Sequence, residues 1–446
     1  MNMANVARLI AIYSATFLCA RTTLADDVNS PWIRQFGTPY FDTGYGVAVD
    51  GYGDVYVAGH FGANGSLLTS TTDDAYVRKY DAAGNDKWTS IRSTSWQEIH
   101  LGVDADAQGN VYTAGLTYQS YNSTTGDDAF VSKYNVNGAL EWTHASGAIY
   151  DDVARAVSAD GLGNVYVTGY KRQGYGIGDV NAYLSKYDEM GVLKWTQQLG
   201  TSLEDFGTSV SADATGSVFI VGHTRGNLSG VNAGNRDAFV SKYDDAGNLL
   251  WTRQLGTSND EFAYGVAVDG VGNAFITGET RGSLGAPNPS VGSGDAFVAK
   301  YNAVGEHLWT SQLGTPNTDW SRAIATDRLG NAYIAGLTSG TLGGTPRGSS
   351  DAFVSAFNAT GVLQWIIQTG TASSDRGESI AIDQWGAIYL AGVTNGDFAA
   401  PAAGGGDVFV MKIIVPEPGS FMLTMYPILG GWACGWRRFL KIRKTR

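Results

Sequence analysis

Cysteine is nearly absent from this chain of 446 residues: Cys19 and Cys434 are the only two, and each lies in a terminal segment. If both segments are removed, the remaining domain has no disulfide, thiolate zinc site or cysteine nucleophile. Histidine is equally sparse, with five copies, and no nucleophile–His–acid spacing, HExxH or phosphate-cradling glycine loop occurs. Only 16% of residues are charged. Basic residues are scarcest: 22 of them face 42 acidic ones between Asp26 and Glu417, a net of −20. Such a surface repels nucleic acid and anionic membranes and favours cations, basic partners or simple solubility. What is abundant is glycine, 60 residues, with 12% aromatics, the composition of a turn-rich β protein.

Seven tryptophans (Trp32, Trp88, Trp142, Trp195, Trp251, Trp309 and Trp365) start seven copies of one pattern with a mean spacing near 55 residues. Ten residues after each stands a carboxylate: Asp42, Glu98, Asp152, Asp205, Glu261, Asp319, Asp375. Eighteen after stands Asp, and 21 and 27 after stands Gly, without insertion or deletion. The period is just above that of propeller blades and well outside helical-repeat lengths.

Each copy reads as four short strands rich in β-branched and aromatic residues, bounded by Asp, Asn and Gly. Residues 237–278 show them: an Asp237-Ala238-Phe239-Val240 strand, a Trp251 strand, Gly265–Asp269, then Asn273–Gly278. The turns at Asp269–Asn273 and Asp244–Asn248 are tight hairpins, the Asp side chain capping and the Gly left-handed. A calcium loop competes for Asp104–Asn110, but the other copies keep a turn there without the extra acid. The chain begins with an unpartnered Trp strand and ends with an unpartnered Asp407–Lys412 strand, seven of each type in all. Open edges at both ends of a stack would need caps, and none is present; closure into a ring pairs them. The expected fold is therefore all-β: a seven-bladed β-propeller, four antiparallel strands per blade, closed by the N-terminal strand completing the last blade.

The Asp128-Ala129-Phe130-Val131 strand, Trp142-Thr143 and Gly163-Asn164-Val165-Tyr166-Val167-Thr168-Gly169, recurring in variant form in every copy, resemble the bacterial beta-propeller repeat family known as SBBP across residues 31–414. That resemblance implies the fold and an exported location, with no defined activity. By analogy with related propellers the VAVD strand would be innermost and the Trp strand outermost.

The termini read as addresses. Residues 1–25 have Arg8, an apolar stretch Leu9–Ala20 and a small residue for cleavage at Ala25, a secretory signal peptide. Residues 415–446 combine Pro416-Glu417-Pro418, an apolar run Phe421–Trp436 and six basic residues after it. The arrangement resembles the PEP-CTERM sorting signal, which implies an exosortase-like processing enzyme, transient anchoring in the inner membrane, and release to the cell surface or matrix of a Gram-negative-type bacterium. The run is short at 16 residues and Pro427 interrupts it; a permanent membrane anchor is the other reading.

All length variation falls in one loop per copy, 11 to 16 residues between the second and third strands, as in His60–Asp73 and Glu279–Gly294. A fixed scaffold with variable loops on one face is how many binding proteins present a surface; lengths that simply drift are the alternative. Asp42, Glu98, Asp152, Asp205, Glu261, Asp319 and Asp375 should ring one mouth of the central channel. They would form a cation site, Ca²⁺ being the candidate, or else brace turns by accepting hydrogen bonds from loop amides. The repeat tryptophans suit packing between sheets, whereas Trp96 and Trp320, without equivalents, suit sugar contact. The favoured function is a non-catalytic module binding polysaccharide or a surface protein, with no cofactor. The alternative is a secreted polysaccharide hydrolase or lyase with Asp205 and Glu261 as acid and base. A spacer in an extracellular assembly is a third.

Overall fold

The computed structural model describes residues 30–62, 73–118, 126–147, 150–174, 180–285 and 293–415. The stretch read as a signal peptide, with Ala25, and the stretch read as a sorting signal, with Pro416, Glu417 and Pro418, lie outside these residues.

Twenty-eight strands form seven sheets of four. Blade 1 runs through Thr43–Val49, Val55–Phe61, Asp74–Tyr80 and Asp86–Arg92, each antiparallel to the next. Blades 2 to 6 repeat this order from inner strands Gln97–Ala105, Asp152–Ala159, Asp205–Ala212, Glu261–Val268 and Asp319–Thr326. Blade 7 consists of Asp375–Ile382, Ile388–Thr394 and Asp407–Ile413, and its outer strand is Trp32–Phe36 from the start of the chain. That strand pairs Trp32 with Lys412 and Phe36 with Val408. The inner strands of blades 7 and 1 pack together as the other neighbours do, so the ring is closed. This is the seven-bladed propeller with terminal strand exchange that the repeat count implied.

Antiparallel order gives the disc two unlike faces. The tight turns between first and second and between third and fourth strands share one face, here called the turn face. The variable loops and the links between blades share the other, the loop face. Loop and link are tied there by backbone bonds such as Glu98 N to Asp73 O (2.9 Å) and Asp375 N to Ser350 O (2.9 Å).

The core lies between neighbouring blades, not at the centre. One cluster joins Phe219, Val221 and Val240 of blade 4 to Val266, Ile276 and Phe297 of blade 5. Another joins Tyr389, Val408 and Val410 of blade 7 to Val57 and Tyr76 of blade 1. The repeat residues hold this arrangement in three ways. Asp50 accepts Tyr52 N (2.8 Å) and Asp54 N (3.0 Å), which closes the turn, and Gly53 at φ +83° takes the left-handed position. Gly59 has a different task. Each inner strand bulges by one residue, between Gly44 and Gly46 in blade 1, and a Cβ on Gly59 would overlap the Thr43 carbonyl there. The tryptophans clip blades together: Trp32 Nε1 donates to Ala82 O (3.2 Å) and Trp251 Nε1 to Ala303 O (3.2 Å), both in the next blade's outer turn. Trp88, Trp142, Trp195 and Trp309 do the same.

Trp365 differs. Its neighbour is blade 7, whose third and outer strands come from opposite ends of the chain, so no turn joins them; it packs against the core cluster of blades 6 and 7. The sequence registers this gap. Lysine precedes the final aromatic or aliphatic residue of the third strand in six blades, and Lys133, Lys186, Lys242 and Lys412 reach carbonyls of that same neighbouring turn. In blade 6, which faces the missing turn, Ala356 stands in its place.

Candidate functional site

The seven repeat acids occupy equivalent places just under the loop face, and all are buried, at 0–3% exposure. None of them lines the channel, and all but Asp152 turn into their own links. A threonine four residues earlier explains this in six of the seven copies. In blade 6, Asp319 accepts Thr315 N (2.6 Å) and Thr315 Oγ1 (2.7 Å), and Thr338 Oγ1 from the second strand. Glu261 does the same with Thr257 N (2.5 Å), Thr257 Oγ1 (2.7 Å) and Thr280 Oγ1 (2.8 Å). Asp205 and Asp375 bind Thr201 and Thr371, and Asp42 binds Thr38 and Gly62 N (2.9 Å). Two copies are held by cations: Glu98 by Arg92 (3.1 Å), and Asp152 by Lys171 (3.9 Å).

Burial pushes all seven carboxyls above the usual range, Asp152 to about 6, and the amide and hydroxyl donors pull the threonine-held ones back. The like charges acting on them belong to nearby third-strand starts such as Asp407, Asp128, Asp237 and Asp351, and for Asp152 also to the adjacent Asp151, not to one another. Six of the seven are thus separate braces of their own links, and Asp152 is paired with Lys171 instead. Among the described residues no group of three or more His, Cys, Asp and Glu is placed to hold a metal ion. Asp104, the extra acid of the competing calcium loop, points away from its turn and accepts Ala159 N of the next blade (2.8 Å). Burial raises it to about 6.

What lines the central channel, a cavity of about 380 Å³, is a different set. At each bulge the register skips one residue, and all seven skipped residues line the channel: Tyr45, Leu101, Arg155, Thr208, Tyr264, Arg322 and Glu378. The bulge lies near the start of the inner strand, so they sit towards the loop face. Sequence reasoning missed them because they fall inside the inner-strand pattern and have no fixed type. That lack of type is itself the signal, since their neighbours on the strand vary far less.

Trp320 is the second residue of an inner strand, half-buried beneath the Arg322 guanidinium (4.5 Å), whereas Trp96 is exposed in its link. His60 and His223 occupy equivalent second-strand positions, and burial lowers them to about 4 and about 3; His100 is likewise lowered to about 4. All three are neutral packing groups at pH 7, and Nδ1 of His100 meets Tyr76 O at 3.0 Å.

The family model for SBBP, a beta-propeller repeat, matches residues 32–60, 194–229, 250–285, 308–344 and 364–399. The chain is 24% identical over 243 residues, 42% of its length, to an uncharacterized WD repeat-containing protein of Acanthamoeba polyphaga mimivirus. It is 30% identical over 165 residues, 34% of its length, to the regulatory protein FlaEY of Caulobacter vibrioides. It spans only 18% and 17% of those relatives' lengths. Among solved structures it is similar to the propeller domain of the Trilobed protease from Pyrococcus furiosus, at 7% identity and a TM-score of 0.46 over 86% of this chain and 99% of that one. Sqt1 from Chaetomium thermophilum matches at 10% identity and a TM-score of 0.45 over 84% and 87%.

Proposed function

We propose that this SBBP-type β-propeller repeat protein is an exported, non-catalytic binding module that engages a polysaccharide or surface protein through its loop face. The observation that carries the reading is the division of labour between faces. Every turn on one face is fixed in length, and all length variation is on the other, beside the links. A rigid disc with one adjustable face suits recognition. The repeat acids favour binding over catalysis, because Asp205 and Glu261 are buried and already accept two or more hydrogen bonds from threonines. A general acid or base needs reach to a substrate proton. Export to the cell surface or matrix, with processing at the Pro416-Glu417-Pro418 segment by an exosortase-like enzyme, rests on the two terminal segments. The test is an array of polysaccharides and matrix proteins, read for retention and for released reducing or unsaturated ends. Retention without product is expected. Product that disappears with Asp205→Asn would replace this reading with the hydrolase or lyase.

A further inference from the structure

At the loop-face mouth of the channel, four consecutive blades share a continuous chain of rings and guanidinium groups. In blade 3, Arg155 lies over the Tyr170 ring (5.7 Å), and Tyr170 meets Phe206 of blade 4 edge-on at 4.9 Å. Phe206 stacks on His223 (5.0 Å), which meets Phe262 of blade 5 at 5.0 Å. Phe262 lies 6.0 Å from Tyr264 with the ring planes nearly parallel, and Tyr264 lies under Arg322 of blade 6 (4.9 Å). The two ends of this arc, Arg155 and Arg322, are both bulge residues, and they stand three blades apart in a ring of seven, on opposite sides of the channel.

The charges at the two ends are unequally met. Arg155 is exposed in the channel and makes no ion pair among the described residues. Arg322 approaches Glu378 at 3.8 Å, but Glu378 is held more closely by Arg376, at 2.5 Å. A domain with a net charge of −20 has carboxylates in excess, so an unpaired arginine in its channel is not explained by shortage of partners. Guanidinium groups laid on rings are pre-oriented, with their N–H edges left free for a bidentate acceptor.

We propose that this mouth binds an acidic oligosaccharide, one carboxylate received by Arg155 and another by Arg322, with the sugar rings lying along the aromatic arc between them. Paired N–H donors match a carboxylate, and a row of partly exposed rings matches the C–H groups of a pyranose better than the flexible side chains of an acidic peptide. The proposal rests on the loop face being a binding surface, and adds to it a chemical class and two anchoring residues.

The experiment titrates the full chain with an oligouronate and with the same oligosaccharide after carboxyl reduction. Binding of the oligouronate should weaken about tenfold in Arg155→Gln and again in Arg322→Gln, the loss expected for one charge-assisted bond each. Arg328→Gln, exposed on the turn face, should bind as the parent does. Arg155 holds no buried partner, so that variant keeps its fold, checked by its melting temperature. Equal affinity for the carboxyl-reduced sugar overturns the proposal, as does unchanged affinity in Arg155→Gln or equal binding of a polyglutamate peptide. If some other glycan or protein binds and Arg155→Gln leaves that binding intact, the loop-face reading stands and this site falls.

Discussion

Blades 4 to 7 and blades 1 to 3 share one inner framework and solve the same local problem differently. In blades 4 to 7 each repeat acid sits between two threonines, such as Thr315 and Thr338 around Asp319. The variable loops there are also pinned alike. Gln254, Gln312, Gln368 and Gln35 each donate to the aspartate opening the third strand and accept loop amides, as Gln35 does from Phe398 (2.8 Å), Ala399 (2.9 Å) and Ala400 (3.2 Å). In blades 1 and 2, Ile91 and Ala145 stand where that glutamine would be. Phe61 and Lys171 replace the second-strand threonine in blades 1 and 3, and Arg92 and Lys171 hold the acids of blades 2 and 3. The family model matches all four links into blades 4 to 7 but not those into blades 2 and 3. Position in the ring is thus set by the shared framework, while either neutral hydroxyls or a cationic side chain fills the space beside the buried carboxyl.

The largest test of this contrast removes the acid. Asp319→Ala strands an amide and two hydroxyls in a buried site and should cost about 4 kcal/mol in urea unfolding. Asp152→Ala, which frees only a partly solvated lysine, should cost less than half as much, and equal losses would erase the distinction. Next comes acid. His100 is neutral when folded and takes up a proton at its ordinary value when unfolded, so its contribution is complete above about pH 6.5 and disappears as pH falls towards about 4. Asp104 and Asp152, raised to about 6, act oppositely: the stability they lend is present at low pH and is lost as pH rises through about 6. The difference between parent and His100→Phe isolates the first effect, and should shift by about 3 kcal/mol against the parent between pH 7 and pH 4. A flat difference would mean that the ring is solvated. Thr338→Val removes one donor from Asp319 and should cost about 1.5 kcal/mol, with Lys171→Met in blade 3 costing less. The smallest effect is expected from Gln312→Ala, about 1 kcal/mol overall, read most clearly as faster hydrogen exchange at the Leu284 amide it holds (3.0 Å).

The strand order and the closure of the ring were legible in the chain because hairpin residues recur at fixed offsets and the two orphan strands are complementary. The glycines at the close approach were visible as a repeat, but their cause was not, since it needs the bulge opposite Gly59. Spacing likewise placed Asp205 and Glu261 beneath the loop face without telling which way their carboxyls turn; Thr201 and Thr257, four residues earlier, were the clue. Arg155 and Arg322 stayed hidden because a bulge residue breaks the inside-outside alternation on which strand reading relies.

The strand exchange that closes the ring also sets its bearing. Trp32 and Lys412 are paired, so the chain enters and leaves blade 7 side by side, on the face of tight turns. Both ends of the described propeller therefore lie on the face opposite the arginine-tipped mouth and its loops.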